Sequence, residues 1–237
     1  MRIKHLVVGG LAAVLLAGCG GSSTDGEAES AAPSSSDSGN GLADQTGPEV
    51  VDAAADALET AGSVRVMGST TTAGQAGDID LQLQGDDTAG TVTIGGDVIE
   101  LVSLAGAAYI KAPASFWQSS GVPAEVLPQL DGVWVVLPPE AAAGFEDLSL
   151  AGFIDELRNP TGVVSDEVTT AEVEGTPVVE VTEDDGSVLR VAAEGEPYPL
   201  ELESTGDEAG TVMFSGFGEQ QTIEAPPNPL DLTTLGG

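Results

Sequence analysis

The spacing of hydrophobic and polar residues changes along this chain, and each change marks a different kind of segment. An unbroken apolar run, Leu6 to Leu16, follows Arg2, Lys4 and His5 and ends at Leu16-Ala17-Gly18-Cys19. From Gly20 to about Gly47 the chain is built mainly of Gly, Ser, Ala, Asp, Glu and Pro, with no aromatic and no basic residue. Apolar residues then recur at helical spacing at Val50, Val51, Ala54, Ala55 and Leu58, after a Pro suited to a first turn and before Gly62 as a stop. This predicts a helix over 48–61. Beyond Gly62 the period becomes two, at Val64 and Val66, then Ile79, Leu81 and Leu83, then Val92 and Ile94, which predicts half-buried strands. Turn residues at Gly85 to Thr88 and Gly95 to Asp97 make the connections short, so neighbours should pair antiparallel.

Strands are expected to continue through Val98 to Leu104 and Ala107 to Ala112. The middle loses the alternation: Pro113 to Gln118 and Pro123 to Leu130 read as short helices and loops, with a short strand at Val133 to Leu137. Leu148, Phe153, Ile154 and Leu157 suggest a further helix that stops before Pro160. A second meander follows in Val163 to Val173, Val178 to Glu183, Val188 to Ala193, Pro199 to Ser204 and Thr211 to Gly218, and Pro226 to Pro229 reads as an extended surface tail. The order helix, strands, short helices, strands predicts an α+β fold, one large antiparallel sheet of about ten or eleven strands with helices gathered on one face.

The chain divides into three parts on this reading. Residues 1–18 have the basic start, apolar stretch and small-residue cleavage site of an export signal, and 11 apolar residues are too few to span a hydrocarbon core that needs about 20. Residues 19–47 form an acidic Ser/Gly linker that cannot bury enough apolar area to offset its ordering entropy. A flexible stretch of that length spans roughly 30 Å. Residues 48–237 form a single domain without a break in composition.

Removing the signal leaves four basic residues, Arg65, Lys111, Arg158 and Arg190, against 39 acidic ones. Such a surface repels phosphates, which excludes nucleic acid as a partner. Cys19 is the sole cysteine and His5 the sole histidine. The chain beyond the export signal therefore has no histidine, no thiol other than Cys19, no phosphate-binding Gly loop and no Gly-x-Ser-x-Gly elbow, and no enzyme is expected. Acidic runs at Asp86-Asp87, Glu183-Asp184-Asp185 and Asp207-Glu208 lack the spacing of a calcium loop and read as solvated turns, so neither metal nor cofactor is expected.

Leu16-Ala17-Gly18-Cys19 matches a lipobox, the motif at which bacterial lipoproteins are lipidated on Cys. Further features follow in order: Tyr109-Ile110-Lys111-Ala112-Pro113 with Phe116-Trp117, Gly132-Val133-Trp134-Val135, Gly175-Thr176-Pro177-Val178-Val179 with Ser187-Val188-Leu189, and Pro197-Tyr198-Pro199-Leu200. Taken together, the chain resembles the LppX/LprG-type lipoproteins of mycobacteria and related actinobacteria, and more distantly the LolA/LolB-like fold. The resemblance implies a strongly curved half-barrel with short helices on its concave side, enclosing an apolar cavity for acyl chains. It also implies a lipid on Cys19 that holds the protein on the extracytoplasmic face of the bacterial cell membrane, and a lipid or glycolipid of the envelope as ligand. An envelope protein partner is open.

Under this reading Leu81, Leu83, Val92, Ile94, Ile99, Leu101, Val179, Val181, Leu189 and Val191 lie at inward strand positions and either line a cavity or pack a dry core. Tyr109 joins them as a candidate from its motif. Phe116, Trp117 and Leu127 either form a lip at a cavity mouth or cap the sheet edge. Lys111 and Arg65, within otherwise apolar strands, either lie beside a lipid head group or are solvated. The first function expected is binding or transport of envelope lipids. The alternative is a non-catalytic surface scaffold or sensor domain, with a closed core, that contacts a protein partner.

Overall fold

The computed structural model describes residues 39–232 apart from 73–74, 143–144, 146–147 and 207–208. The export signal, Cys19 and the linker up to residue 38 lie outside the described residues. Helix α1 (Gly47–Ala61) forms where the spacing places it. Its start is closed by Glu49, whose Oε2 accepts from the Thr46 backbone N–H at 2.9 Å and the Thr46 hydroxyl at 2.8 Å. Gly62, at φ 69°, ends it with its N–H on the Leu58 carbonyl. Between these caps Val50, Val51, Ala54, Ala55, Ala57 and Leu58 are buried along one side. Each Val or Leu so buried stabilises the fold by about 1.5–3 kcal/mol.

The first meander comprises β1 (Ser63–Thr72), β2 (Gln75–Gln84), β3 (Asp87–Ile94), β4 (Asp97–Leu104) and β5 (Ala107–Lys111). Two short helices, α2 (Ala114–Ser119) and α3 (Leu127–Leu130), precede β6 (Trp134–Val136). The helical turn α4 (Pro139–Ala142) and helix α5 (Leu150–Arg158) follow. The second meander is β7 (Val164–Val173), β8 (Thr176–Glu183), β9 (Val188–Ala192), β10 (Pro199–Ser204) and β11 (Gly210–Ser215), and β12 (Leu230–Asp231) closes the order. All twelve strands form one open sheet, β12-β6-β5-β4-β3-β2-β1-β11-β10-β9-β8-β7. The two meanders meet where β1 pairs antiparallel with β11, with Arg65 opposite Ser215 and Ser69 opposite Thr211.

The sheet curls around α1. That helix touches β1, β7 and β8, although β1 and β7 stand five positions apart in the sheet. In a flat sheet those strands would be about 24 Å apart, twice the width of a helix, so both reach α1 only if the sheet bends toward it. The fold is thus α+β with a curved antiparallel sheet, and its strand count exceeds expectation through β12. The tail after Pro229 does more than lie on the surface: Leu230 and Asp231 pair parallel with Val135 and Val136 and cover the β6 edge. The opposite edge, β7, is blunted by exposed Asp166, Glu167 and Glu172.

Because β6 stands next to the edge strand β12 and β7 forms the opposite edge, the chain between them must cross nearly the whole sheet. Helix α5 lies on that crossing and packs on α1. Its start is tied to the β2–β3 turn, with Leu150 N–H donating to Gly85 O at 3.2 Å and the Thr88 hydroxyl donating to Leu148 O. Phe153 of α5 meets Phe214 of β11, ring centres 5.1 Å apart.

Residues 39–46, within the stretch read as linker from composition, lie against the domain. Leu42 is buried, Gly39 bridges Glu194, and Asn40 Nδ2 donates to Ala192 O at 2.9 Å and Gly195 O at 3.3 Å. One leucine and one asparagine suffice here because receptive carbonyls and an apolar recess already exist.

The approach of α1 to β7 is close enough to require glycine. A Cβ on Gly47 would lie 2.0 Å from the Ser165 carbonyl oxygen, a backbone atom with no freedom to turn aside. Gly47→Ala should therefore lower stability by about 1–3 kcal/mol through overpacking. The thermal midpoint should fall by roughly 2–10 °C, and an unchanged midpoint would mean that α1 is free to slide on β7.

Candidate functional site

Most inward strand positions named from the sequence form a closed core. Leu81, Leu83, Ile99, Leu101, Val179, Val181, Leu189 and Val191 are all buried and belong to one cluster with α1 and α5, and Val92, Ile94, Phe116 and Leu127 pack half-buried against it. Tyr109 is placed differently. It alternates with Ala108 and Ile110, the buried positions of β5, so it lies on the other face of the sheet, beside Lys111. Its aromatic character and motif suggested lining, but strand alternation puts it outside.

Trp117 is 3% exposed, so it is packed into the core and is not an open lip. Its ring meets Phe116 edge to face at 5.4 Å. Its indole Nε1–H is buried without a hydrogen-bond partner, which costs about 1–3 kcal/mol. Arg65 and Lys111 take no place inside either. Arg65, between buried Val64 and Val66, pairs on the outer face with Asp80 through two 2.8 Å hydrogen bonds that hold the Asp80 carboxyl below the usual carboxylate range. Lys111 Nζ lies 2.7 Å from Glu100.

A cavity among the described residues lies under the other half of the sheet. It has a volume of about 360 Å³, at the lower end of the range for small-ligand pockets. Val181 of β8, Leu189 of β9 and Leu202 of β10 make its floor. Val51 of α1 with Phe153 and Leu157 of α5 make its roof, and Val164 of β7 its side wall. Of the candidates from sequence only Val181 and Leu189 line it. Val51, Phe153, Leu157, Val164 and Leu202 were missed as liners, since a helix residue facing a sheet looks the same in sequence whether or not the space beneath it is filled.

The mouth is polar. It is made by Glu156, the Pro160 to Gly162 loop, the Glu183 to Asp185 turn, Ser187, Ser204 and Thr205. Two of its acids are held by backbone N–H groups. Asp184 Oδ1 accepts from Val163 N–H at 2.9 Å. Asp185 accepts from the Ser187 N–H at 2.8 Å and hydroxyl at 3.1 Å, bonds that hold its carboxyl below the usual range. Thr205 closes the rim by donating its hydroxyl to Asp185 O at 2.9 Å.

Glu183 differs. It is half-buried on the cavity face of β8, and its carboxyl is pushed up, first by burial and then by the charges of Asp185 and Asp184, against a lowering hydrogen bond from Gly162 N–H and with a further upward push from Glu156. A carboxyl whose pKa rises on folding favours its protonated form in the native state. Its contribution to stability is full below the ordinary carboxylate range and is lost as pH rises through the raised value. Glu183→Gln should therefore raise the thermal midpoint at neutral pH and change nothing in acid, where both side chains are uncharged. Melting curves at the two pH values check this, and an equal gain at both would mean that the ionised carboxyl is not the penalised form.

No metal-ligating cluster of His, Cys, Asp and Glu is found among the described residues, and no helix there is long and apolar enough to cross a membrane. No protein-family model matches the sequence, and no curated protein matches it. A solved structure, LprF from Mycobacterium bovis, is similar to this chain at 12% identity over 77% of this chain and 99% of its own, with a TM-score of 0.44. At that score it assigns no residue, ligand or role to this chain.

Proposed function

We propose that this chain is an exported lipoprotein of the LppX/LprG type, held on the outer face of a bacterial cell membrane through Cys19, whose domain binds or carries envelope lipids and catalyses no reaction. The observation that carries the lipid reading is the cavity between the α1–α5 pair and strands β7–β10, with Val51, Phe153, Leu157, Val181, Leu189 and Leu202 around it. Removing acyl surface from water into such a space gains about 25 cal/mol per Å². A recess of this size takes part of a chain, and that part suffices for reversible holding. Support for the anchor is the run Leu16-Ala17-Gly18-Cys19 after a basic and apolar leader. Two or more acyl chains there would hold firmly, at about 0.8 kcal/mol per buried CH₂.

One observation favours the alternative of a scaffold or sensor domain. Leu81, Leu83, Ile99 and Leu101 are packed shut, so the half of the sheet made by β2 to β4 is closed by its own side chains.

Native mass spectrometry and lipid extraction of the purified mature protein separate the two. Co-purifying lipid is expected, and Val164→Trp, which fills the side wall, should reduce it several-fold with the thermal midpoint little changed. Protein that is free of lipid from every preparation would favour the scaffold. The anchor is tested apart from the cavity. Cys19→Ala should leave the fold intact while the protein is released from the membrane or stays unprocessed, and a variant that is normally cleaved and fully membrane-retained would refute lipidation at this position.

A further inference from the structure

We infer that the cavity sorts amphiphiles by the charge of their polar end, taking ammonium or polyhydroxyl heads at Glu183 and rejecting heads that end in phosphate or carboxylate. This rests on the lipid-binding reading of the cavity and adds to it what the mouth accepts.

The first observation is the composition of the mouth. Glu156, Glu183, Asp184 and Asp185 surround the opening, and no basic side chain is among the residues that line it. A tail lying against Val181 and Leu189 would bring its head group to this rim. An anionic head there meets several carboxylates at once, a like-charge contact that weakens binding and slows entry.

A second, independent observation closes the usual escape, in which a nearby Arg or Lys turns to hold the anion. All four basic residues of the exported chain are engaged with its own carboxylates. Arg65 holds Asp80, Lys111 holds Glu100, and Arg190 holds Glu180, Glu201 and Glu203. Arg158, next in sequence to the lining residue Leu157, is drawn to α1 by Asp56 at 2.6 Å and Glu59 at 3.0 Å. Turning it toward the mouth would strand two carboxylates.

The third observation supplies attraction. Glu183 lies on the cavity face of β8, half-buried beside Gly162. A carboxylate has about four acceptor positions, so capacity remains for donors from a ligand. Ammonium and sugar hydroxyls are such donors, whereas ionised phosphate and carboxylate offer acceptors to an acceptor. Asp184 and Asp185 are held by the Val163 and Ser187 N–H groups and contribute charge with little freedom to move.

The test uses lipid-stripped mature protein and probes with the same ten-carbon tail: decylammonium, decyl maltoside and decyl phosphate, each below its micelle concentration, with affinities from calorimetry. At low salt the first two should bind at least roughly tenfold more tightly than the phosphate, a gap that narrows as salt screens the rim. The isosteric pair E183Q/D184N, shown folded by its melting curve, should strengthen phosphate binding and weaken decylammonium. The wild-type salt series measures the same repulsion without any variant. Equal affinities for all three heads overturn the inference and leave the lipid reading standing, and binding of none overturns both.

Discussion

Helix α1 lies in the bend of a sheet too open to close on itself, and its contact with β1 on one side and β7 and β8 on the other sets the curvature. A sheet that does not close must have its apolar face covered by something else. The cover comes from α1, early in the described chain, and from the segment that has to cross from β6, the neighbour of edge strand β12, to edge strand β7. Gly47 lets the helix sit against the β7 backbone, and the ties of Leu150 and Thr88 fix where the crossing segment starts. Helix α5 then stops at Arg158, ahead of Pro160, which cannot continue it. Beyond that stop the cover is a loop, and that is where the cavity opens.

The charge distribution follows a similar economy. From Cys19 onward the sequence has four cations against 39 acids, so most of the described carboxylates have no cation to pair with. Two of the four cations, Arg158 and Arg190, sit where several carboxylates converge. Arg190 is the most enclosed, at 19% side-chain exposure, bridging Glu180, Glu201 and Glu203 across three strands on the outer face of the sheet. Exposed pairs such as Arg65 with Asp80 contribute little to stability. Their larger effect is to hold the cations away from the cavity mouth, whose charged residues are all acidic.

The elements of this fold were legible because each carries its own local signal. The Val50 to Leu58 spacing and Gly62 marked α1, and the alternation in Ile79 to Leu83 and Val92 to Ile94 marked paired strands. The site was less legible. Alternation separates Ile110 from Lys111 and tells inside from outside, yet it holds the same value for Leu101, in a filled core, and for Leu189, at a cavity floor. Tyr109 went astray for a related reason, because its motif outweighed its parity with Lys111.

What the sequence by itself determined is most of the elements, their antiparallel neighbours within each meander and the excess of acidic residues, all properties of short segments or of composition. The pairing of β1 with β11, the return of Leu230 to β6 and the docking of residues 39–46 depend on surfaces that exist only after the sheet has curled. The same holds for the cavity. Its volume is what remains between α5, α1 and β7–β10 after every side chain has been placed, a difference between large packed volumes that no single segment encodes.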